Sequence, residues 1–144
     1  MIALIALLQT ISPPLPVITP RVPEMVFTCS RAGKAGVPLV IALPTGLNGS
    51  EVLVSDPGRV LGGYTFTRYR WKIGTDGGVS LTFSSNGDSR SPVLTVEQVV
   101  PGSKDYRGRA HPFYRPKKLT FYSCQLMQGD GADAIIKQIR AERG

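Results

Sequence analysis

From residue 24 onward, apolar and polar side chains alternate with a period of two over most of the chain. In a β-strand this spacing places every second side chain on the same face. Residues 24–30, for example, put Met25, Phe27 and Cys29 on one face. On this basis seven segments are predicted to be strands: residues 24–30, 37–43, 51–55, 64–73, 79–83, 93–100 and 118–127.

Two segments depart from this alternation. Residues 37–43 are continuously apolar, which is typical of a strand that is covered on both faces. Near the C-terminus the pattern changes to a helical period, and a helix is predicted from about residue 130 to residue 142. Asp130 can cap its first turn. Its apolar residues form one stripe: Ala132, Ile135, Ile136 and Ile139.

Turn signals such as Asp76-Gly77-Gly78 separate the predicted strands and favour hairpins. The elements together predict a mainly β fold, either an antiparallel β-sandwich or a partly open barrel of six to seven strands, with one C-terminal α-helix. Because 144 residues are too few for two ordinary domains, we expect residues 24–144 to form a single β domain.

The first 23 residues are different in character. Residues 1–8 are apolar, the first charged side chain is Arg21, and a proline-rich stretch that is typical of a linker follows the apolar run. An apolar run of this length resembles the core of a signal peptide and is too short to span a bilayer. The segment therefore predicts a periplasmic or secreted protein with no transmembrane span in the mature chain. The alternative is an uncut chain whose apolar start joins the sheet in the cytosol.

The two cysteines support export by a separate argument. Cys29 and Cys124 each fall on the apolar face of a predicted strand, one near each end of the β domain. A pair of cysteines in an exported domain is typical of a disulfide, which here would close a loop of about 95 residues. The alternative is two buried thiols in a cytosolic core.

The charge balance favours an anionic partner. Seventeen Lys and Arg residues oppose ten Asp and Glu residues, which gives a formal net charge of +7. In the strand predicted over residues 64–73, Arg68, Arg70 and Lys72 form a row about 13 Å long on one face. Such a row can follow the phosphates or carboxylates of a polyanion. Its alternative role is to keep an exposed edge strand soluble.

A second basic segment is the loop predicted over residues 101–116, together with the residues that follow it. It interleaves basic and aromatic side chains, a combination that suits single-stranded nucleic acid or acidic sugars. The alternative is a surface loop whose aromatic residues pack beneath it. The residues of this segment assigned to anion binding are Arg107, Arg109, His111, Tyr114, Arg115, Lys117 and Lys118.

Catalytic and metal-binding signals are weak. His111 is the only histidine, two cysteines cannot form a structural zinc site alone, and no Gly-x-Ser-x-Gly motif occurs. The glycine-rich basic residues 31–36 have the composition of a phosphate-binding loop without the Walker spacing. We therefore expect no cofactor and no metal, and the sequence favours a non-catalytic protein.

Three functional hypotheses remain. The first is an exported, non-catalytic domain that binds an anionic component of the cell envelope or an acidic protein. The second is a nucleic-acid-binding module, which requires a cytosolic chain with reduced thiols. The third is a small hydrolase that uses His111.

We predict that the protein isolated from its host lacks roughly the first 12–22 residues and has both thiols blocked until reduction. Intact mass measured with and without reduction and alkylation tests both expectations. A full-length chain with two free thiols would contradict export and would make nucleic acid the first ligand to examine.

Overall fold

The structure is a computed structural model that describes residues 24–31, 33, 36–61, 65–85, 91–112 and 118–143. The signal-like segment 1–23 lies outside the described residues, as do three of the residues assigned to anion binding: Tyr114, Arg115 and Lys117.

Within the described residues, eight antiparallel strands form one curled, half-barrel sheet, and one helix follows them. The strands are β1 (Met25–Arg31), β2 (Leu39–Leu43), β3 (Leu53–Ser55), β4 (Arg68–Ile73), β5 (Val79–Ser84), β6 (Pro92–Gln98), β7 (Asp105–Pro112) and β8 (Thr120–Met127). The helix is α1 (Asp130–Arg143). The mainly β fold with a C-terminal helix, predicted as a sandwich or partly open barrel, is confirmed.

The predicted strand count of six to seven was low because one strand was assigned to a loop. The region predicted as the loop 101–116 contains β7. Its side chains do alternate, but Gly108 and Ala110 occupy two of its inward positions. Because such small residues give little hydrophobic signal, the period of two was not apparent in the sequence.

The order of the strands in the sheet is β3-β2-β1-β8-β7-β6-β5-β4. Each strand therefore pairs with its neighbour in sequence, with one exception: β1 pairs with β8, which joins the two ends of the β domain. A meander of three strands and a meander of five strands are thus held in one sheet by this single long-range ladder.

A disulfide crosses that ladder. Cys29 of β1 and Cys124 of β8 lie directly opposite each other, are bonded, and are buried. The predicted disulfide is confirmed, and it encloses 95 residues of sequence separation. In the chain-entropy account, closing a loop of that size removes several kcal/mol of freedom from the unfolded chain, up to about 4.7 kcal/mol.

The concave face of the sheet holds the main core. Phe27 contacts Phe83 and Tyr106 edge-on, with ring centroids 6.3 Å and 5.0 Å apart. β1 and β5 are separated by three strands in the sheet, so the contact between Phe27 and Phe83 reflects how strongly the sheet curls. Leu61 and Phe66, from the connection between β3 and β4, cover the open side of this core.

A second, smaller core lies on the other face of β1–β3. There Val26, Ala42 and Leu53 pack against α1, whose buried residues belong to the predicted apolar stripe. This explains why residues 39–43 are apolar throughout: Leu39, Ile41 and Leu43 face the concave core, and Ala42 faces the helix. The predicted segment 37–43 was too long at its start, since Val37 precedes the strand and is exposed. Arg140 of α1 also forms an ion pair with Glu51, at 2.8 Å.

The open side of the half-barrel is tied by side-chain hydrogen bonds from β4. The Tyr69 hydroxyl lies 2.7 Å and 2.6 Å from the carbonyl oxygens of Gly46 and Gly49, in and beside a 3₁₀ turn that connects β2 to β3. The indole N–H of Trp71 donates to the Leu47 carbonyl at 2.9 Å. β4 and β3 are the two ends of the sheet order, so these bonds link its opposite sides without pairing the edge strands.

We expect Tyr69→Phe to lower the free energy of unfolding by about 1 kcal/mol, because the half-barrel loses the hydroxyl that ties β4 to the 3₁₀ turn. Tyr106→Phe is the matched control, since within the described residues no hydrogen bond involves the Tyr106 hydroxyl. Urea unfolding of both variants is the measurement. Equal effects of the two substitutions would show that the tie does not stabilise the fold.

Gly108 faces the disulfide from the neighbouring strand. A Cβ at this position would lie 3.1 Å from the Tyr122 Cβ and 3.2 Å from the Cys124 Sγ. We therefore expect Gly108→Ala to cost about 1–3 kcal/mol in unfolding free energy through overpacking. Ser123→Ala, an exposed change on β8, should stay within about 0.5 kcal/mol of wild type. A Gly108→Ala protein as stable as the control would contradict this packing.

Candidate anion-binding surface

The basic row of β4 lies on the outer, convex face of the sheet. Tyr69 packs against the concave core, so Arg68, Arg70 and Lys72 point the opposite way, and all three are exposed. The guanidinium of Arg68 donates to the Ser84 hydroxyl of β5 at 3.1 Å. The period of two in the sequence therefore separated the two faces of this strand correctly.

The basic residues of β7 lie on the same outer face. Tyr106, Gly108 and Ala110 are buried on the concave side, which leaves Arg107 and Arg109 exposed on the outside. His111 is half-buried on this face and lies opposite Val93 of β6 in the strand register. A strand thus aligns side chains that a loop would have left without a common direction.

The strand register connects the two basic strands. Arg70 lies opposite Thr82, Thr82 opposite Thr95, and Thr95 opposite Arg109, in one continuous cross-strand row. Three inter-strand steps separate β4 from β7, a distance of about 14 Å. Two basic segments that are far apart in sequence therefore belong to one surface, which we call the basic face: Arg68, Arg70, Lys72, Arg107, Arg109 and His111.

Small hydroxyl residues form most of the floor between the two basic strands. The cross-strand rows place there Ser80, Thr82 and Ser84 of β5 and Val93, Thr95 and Glu97 of β6, all partly buried except Glu97, which is exposed. The Thr82 and Thr95 hydroxyl oxygens are 3.4 Å apart. These short side chains leave the floor low and supply hydrogen-bonding groups, so the longer arginine and lysine side chains stand above it.

A cleft of about 180 Å³ opens at one end of this floor. Arg68 and Arg70 line one side of it, and Ser91 and Pro92 line the other. Ser85 also lines the cleft, and its buried hydroxyl has no hydrogen-bond partner in the part of the chain that the structure describes. Buried polar groups are normally paired, so this hydroxyl is an exception at the wall of the cleft.

One acidic side chain partly neutralises the basic face. Glu97 of β6 accepts a hydrogen bond from Arg109 at 2.9 Å, and both side chains are about half exposed. Among the arginine and lysine side chains of the basic face, Arg109 pairs with Glu97, and in the described part of the chain Arg68, Arg70, Lys72 and Arg107 form no ion pair. Their exposure makes each charge weak by itself.

An exposed aromatic residue that the sequence reasoning did not select borders the basic face. Phe121 of β8 lies opposite Arg109 and is 56% exposed, on the outer side of its strand. With Arg107, Arg109 and Glu97 it lines a shallow cleft of about 330 Å³. The sequence does contain a signal for the position of Phe121. Tyr122 and Cys124 are predicted to point inward, so the alternation along the strand predicts that Phe121 points outward.

The remaining predicted residues are less well connected to this surface. Lys118 is exposed just before β8 begins, and Tyr114, Arg115 and Lys117 lie outside the described residues. In the described part of the chain, no group of three or more His, Cys, Asp or Glu side chains could hold a metal ion. The assignment of His111 to a hydrolase remains untested.

No helix in the described ranges is long and apolar enough to cross a membrane. No protein-family model, no curated protein and no solved structure matches this chain, so the basic face is interpreted from its own geometry.

Proposed function

We propose that the protein is an exported, non-catalytic domain that binds an anionic polymer of the cell envelope through the basic face. The observation that carries the proposal is the convergence of the cations of β4 and β7 on one face of one sheet. A nucleic acid would use the same cations, and it is the partner expected if the chain stays in the cytosol.

Export is supported by the buried disulfide and by the composition of the N-terminus. Disulfides persist in oxidising compartments and are rare in the cytosol. Cys29 and Cys124 are bonded and inaccessible, which suits a structural bridge. The apolar run of residues 1–8 is typical of the hydrophobic core of a secretory leader, although no Lys or Arg precedes it.

A polymer fits the basic face better than a small molecule does. The cations of β4 repeat about every 6.6 Å along the strand, and β7 repeats the pattern about 14 Å away. Exposed charges of this kind attract a single anion weakly in water, but several act together on a chain of anions and release its counterions. The Ser and Thr side chains keep the floor low in the row that joins Arg70 to Arg109. In the neighbouring row, Glu97 stands between Lys72 and Arg107.

Phe121 and the cleft at Arg68 and Arg70 also support polymer binding. An exposed aromatic ring beside Arg109 can stack against a sugar or a base, which adds contact area to the electrostatic attraction. The guanidinium groups of Arg68 and Arg70 line the cleft and can donate to an anionic group that reaches it. Both features lie where a polymer following the basic face would pass.

We expect the protein to bind polyphosphate and poly-glutamate chains with an affinity that falls steeply as salt rises. The double variant Arg70→Gln, Arg107→Gln should bind more weakly, and the slope of log K against log salt should decrease by about two, one unit per cation removed. Glu97→Gln should bind more tightly, because it removes an acidic side chain that pairs with Arg109 on this surface. Fluorescence anisotropy with labelled polymer at several salt concentrations measures all three.

The matched control is Lys137→Gln, Arg140→Gln, which removes the same charge from α1. Equal salt slopes for the control and for the double variant of the basic face would show that net charge alone drives binding. An unchanged affinity in the double variant would rule out the basic face. Much tighter binding of a single-stranded oligonucleotide than of either polymer would replace the envelope partner with nucleic acid.

A further inference from the structure

A second cationic cleft lies on the concave side of the sheet, at the mouth of the half-barrel. Its volume is about 290 Å³, and it is lined by Arg31 at the end of β1, by Gly36 and Val37, and by the turn that contains Gly58 and Arg59. The mouth of a barrel is a frequent place for small-ligand sites. This cleft shares no residue with the basic face.

Arg31 reaches the cleft from the inward-facing side of β1. Met25, Phe27 and Cys29 are buried in the concave core, and Arg31 continues their row to the end of the strand. It lies opposite Tyr122 of β8 in the register. Burial raises the pKa of the Tyr122 hydroxyl, the positive charge of Arg31 lowers it, and the negative charge of Asp56 raises it. Both charged groups are therefore close enough to influence that hydroxyl.

Arg59 is held by a turn that Asp56 organises. The Asp56 carboxylate accepts the backbone N–H groups of Val60 and Leu61 at 2.8 Å and 2.9 Å. The Arg59 N–H donates to the Asp56 carbonyl at 3.0 Å. The nearest acidic side chain is therefore engaged with the backbone of the turn, and it does not pair with the Arg59 guanidinium.

Arg59 has a backbone φ of 52°, the left-handed conformation that favours glycine. It is the one non-glycine residue with positive φ among those that the structure describes. Backbone strain of this kind persists where surrounding contacts impose it, and it is concentrated at functional sites. A glycine would relieve the strain, so the presence of arginine indicates that its side chain serves a purpose here.

The backbone around the cleft is closely packed. A Cβ on Gly58 would lie 2.8 Å from the Val37 carbonyl oxygen, so the turn and the segment at Gly36 and Val37 touch through their main chains. Two guanidinium groups thus border a cleft with constrained walls. In the described part of the chain, neither Arg31 nor Arg59 forms an ion pair with a carboxylate.

We infer that this cleft binds a phosphate group, either inorganic phosphate or the phosphate of a small monoester, between Arg31 and Arg59. Guanidinium groups match the oxygens of phosphate with paired, charge-assisted hydrogen bonds, and two of them balance a dianion. From the glycine-rich residues 31–36, Arg31 and Gly36 line the site. The inference does not depend on polymer binding by the basic face.

Titration of the isotopically labelled, oxidised protein with inorganic phosphate, followed by backbone amide NMR at constant ionic strength, tests the site. We expect saturable shifts of the amides of Gly36, Val37 and Gly58, and weaker binding of acetate. Arg59→Gly should weaken phosphate binding by about tenfold or more, while the melting temperature stays equal or rises because glycine accepts the left-handed conformation. That variant separates loss of the ligand from loss of the fold.

Arg31→Gln should also lose binding, whereas the basic-face variant Arg70→Gln, Arg107→Gln should keep it. Polymer binding can therefore be lost while phosphate binding is kept. Phosphate binding can likewise be lost while polymer binding is kept, so the two proposals are tested separately. Unchanged phosphate affinity in Arg59→Gly, or shifts that do not saturate, would overturn the inference. Acetate binding as tightly as phosphate would overturn the assignment of phosphate as the ligand.

Discussion

The pairing of β1 with β8 is the contact on which the rest of the structure depends. All other strand ladders join neighbours in sequence, so each meander can form locally, and only this ladder unites them. It brings together the ends of the β domain, which costs chain entropy before any contact compensates for it. The disulfide between Cys29 and Cys124 acts at this ladder, because a bond across its centre keeps the two meanders together even when local structure fluctuates.

Because the two meanders belong to one sheet, the curl of that sheet lets their side chains share a core. Phe27 of the first meander can reach Phe83 of the second only because the sheet bends round a shared core. The edges still do not pair, and Tyr69 and Trp71 bridge them through backbone carbonyls instead. This leaves β4 as an exposed edge, where the charges of Arg68, Arg70 and Lys72 also oppose pairing with another chain. Solubility and anion binding are therefore compatible roles for the same row.

The curl also distributes the positive charge over two sides of the sheet. On the convex side the cations of β4 and β7 are separated by a floor of mostly Ser and Thr side chains. On the concave side Arg31 and Arg59 line one cleft of about 290 Å³. Arginine is thus present on both sides of the sheet, and the strand order and the turns decide which guanidinium groups lie near each other.

The sequence by itself determined the features that depend on neighbouring residues: most strands, their inward faces, the helix with its apolar stripe, and the inward position of both cysteines. These follow from local periodicity, which a strand or helix imposes on any residues it contains. The sequence concealed β7, because Gly108 and Ala110 fill inward positions, and at Gly108 the packing against Tyr122 and Cys124 leaves space for little else. Only the tertiary structure decided which strands are neighbours, and hence that the two basic segments share one face and that Arg31 and Arg59 line one cleft. Those relations depend on strand order and register, which arise from long-range pairing that no local pattern encodes.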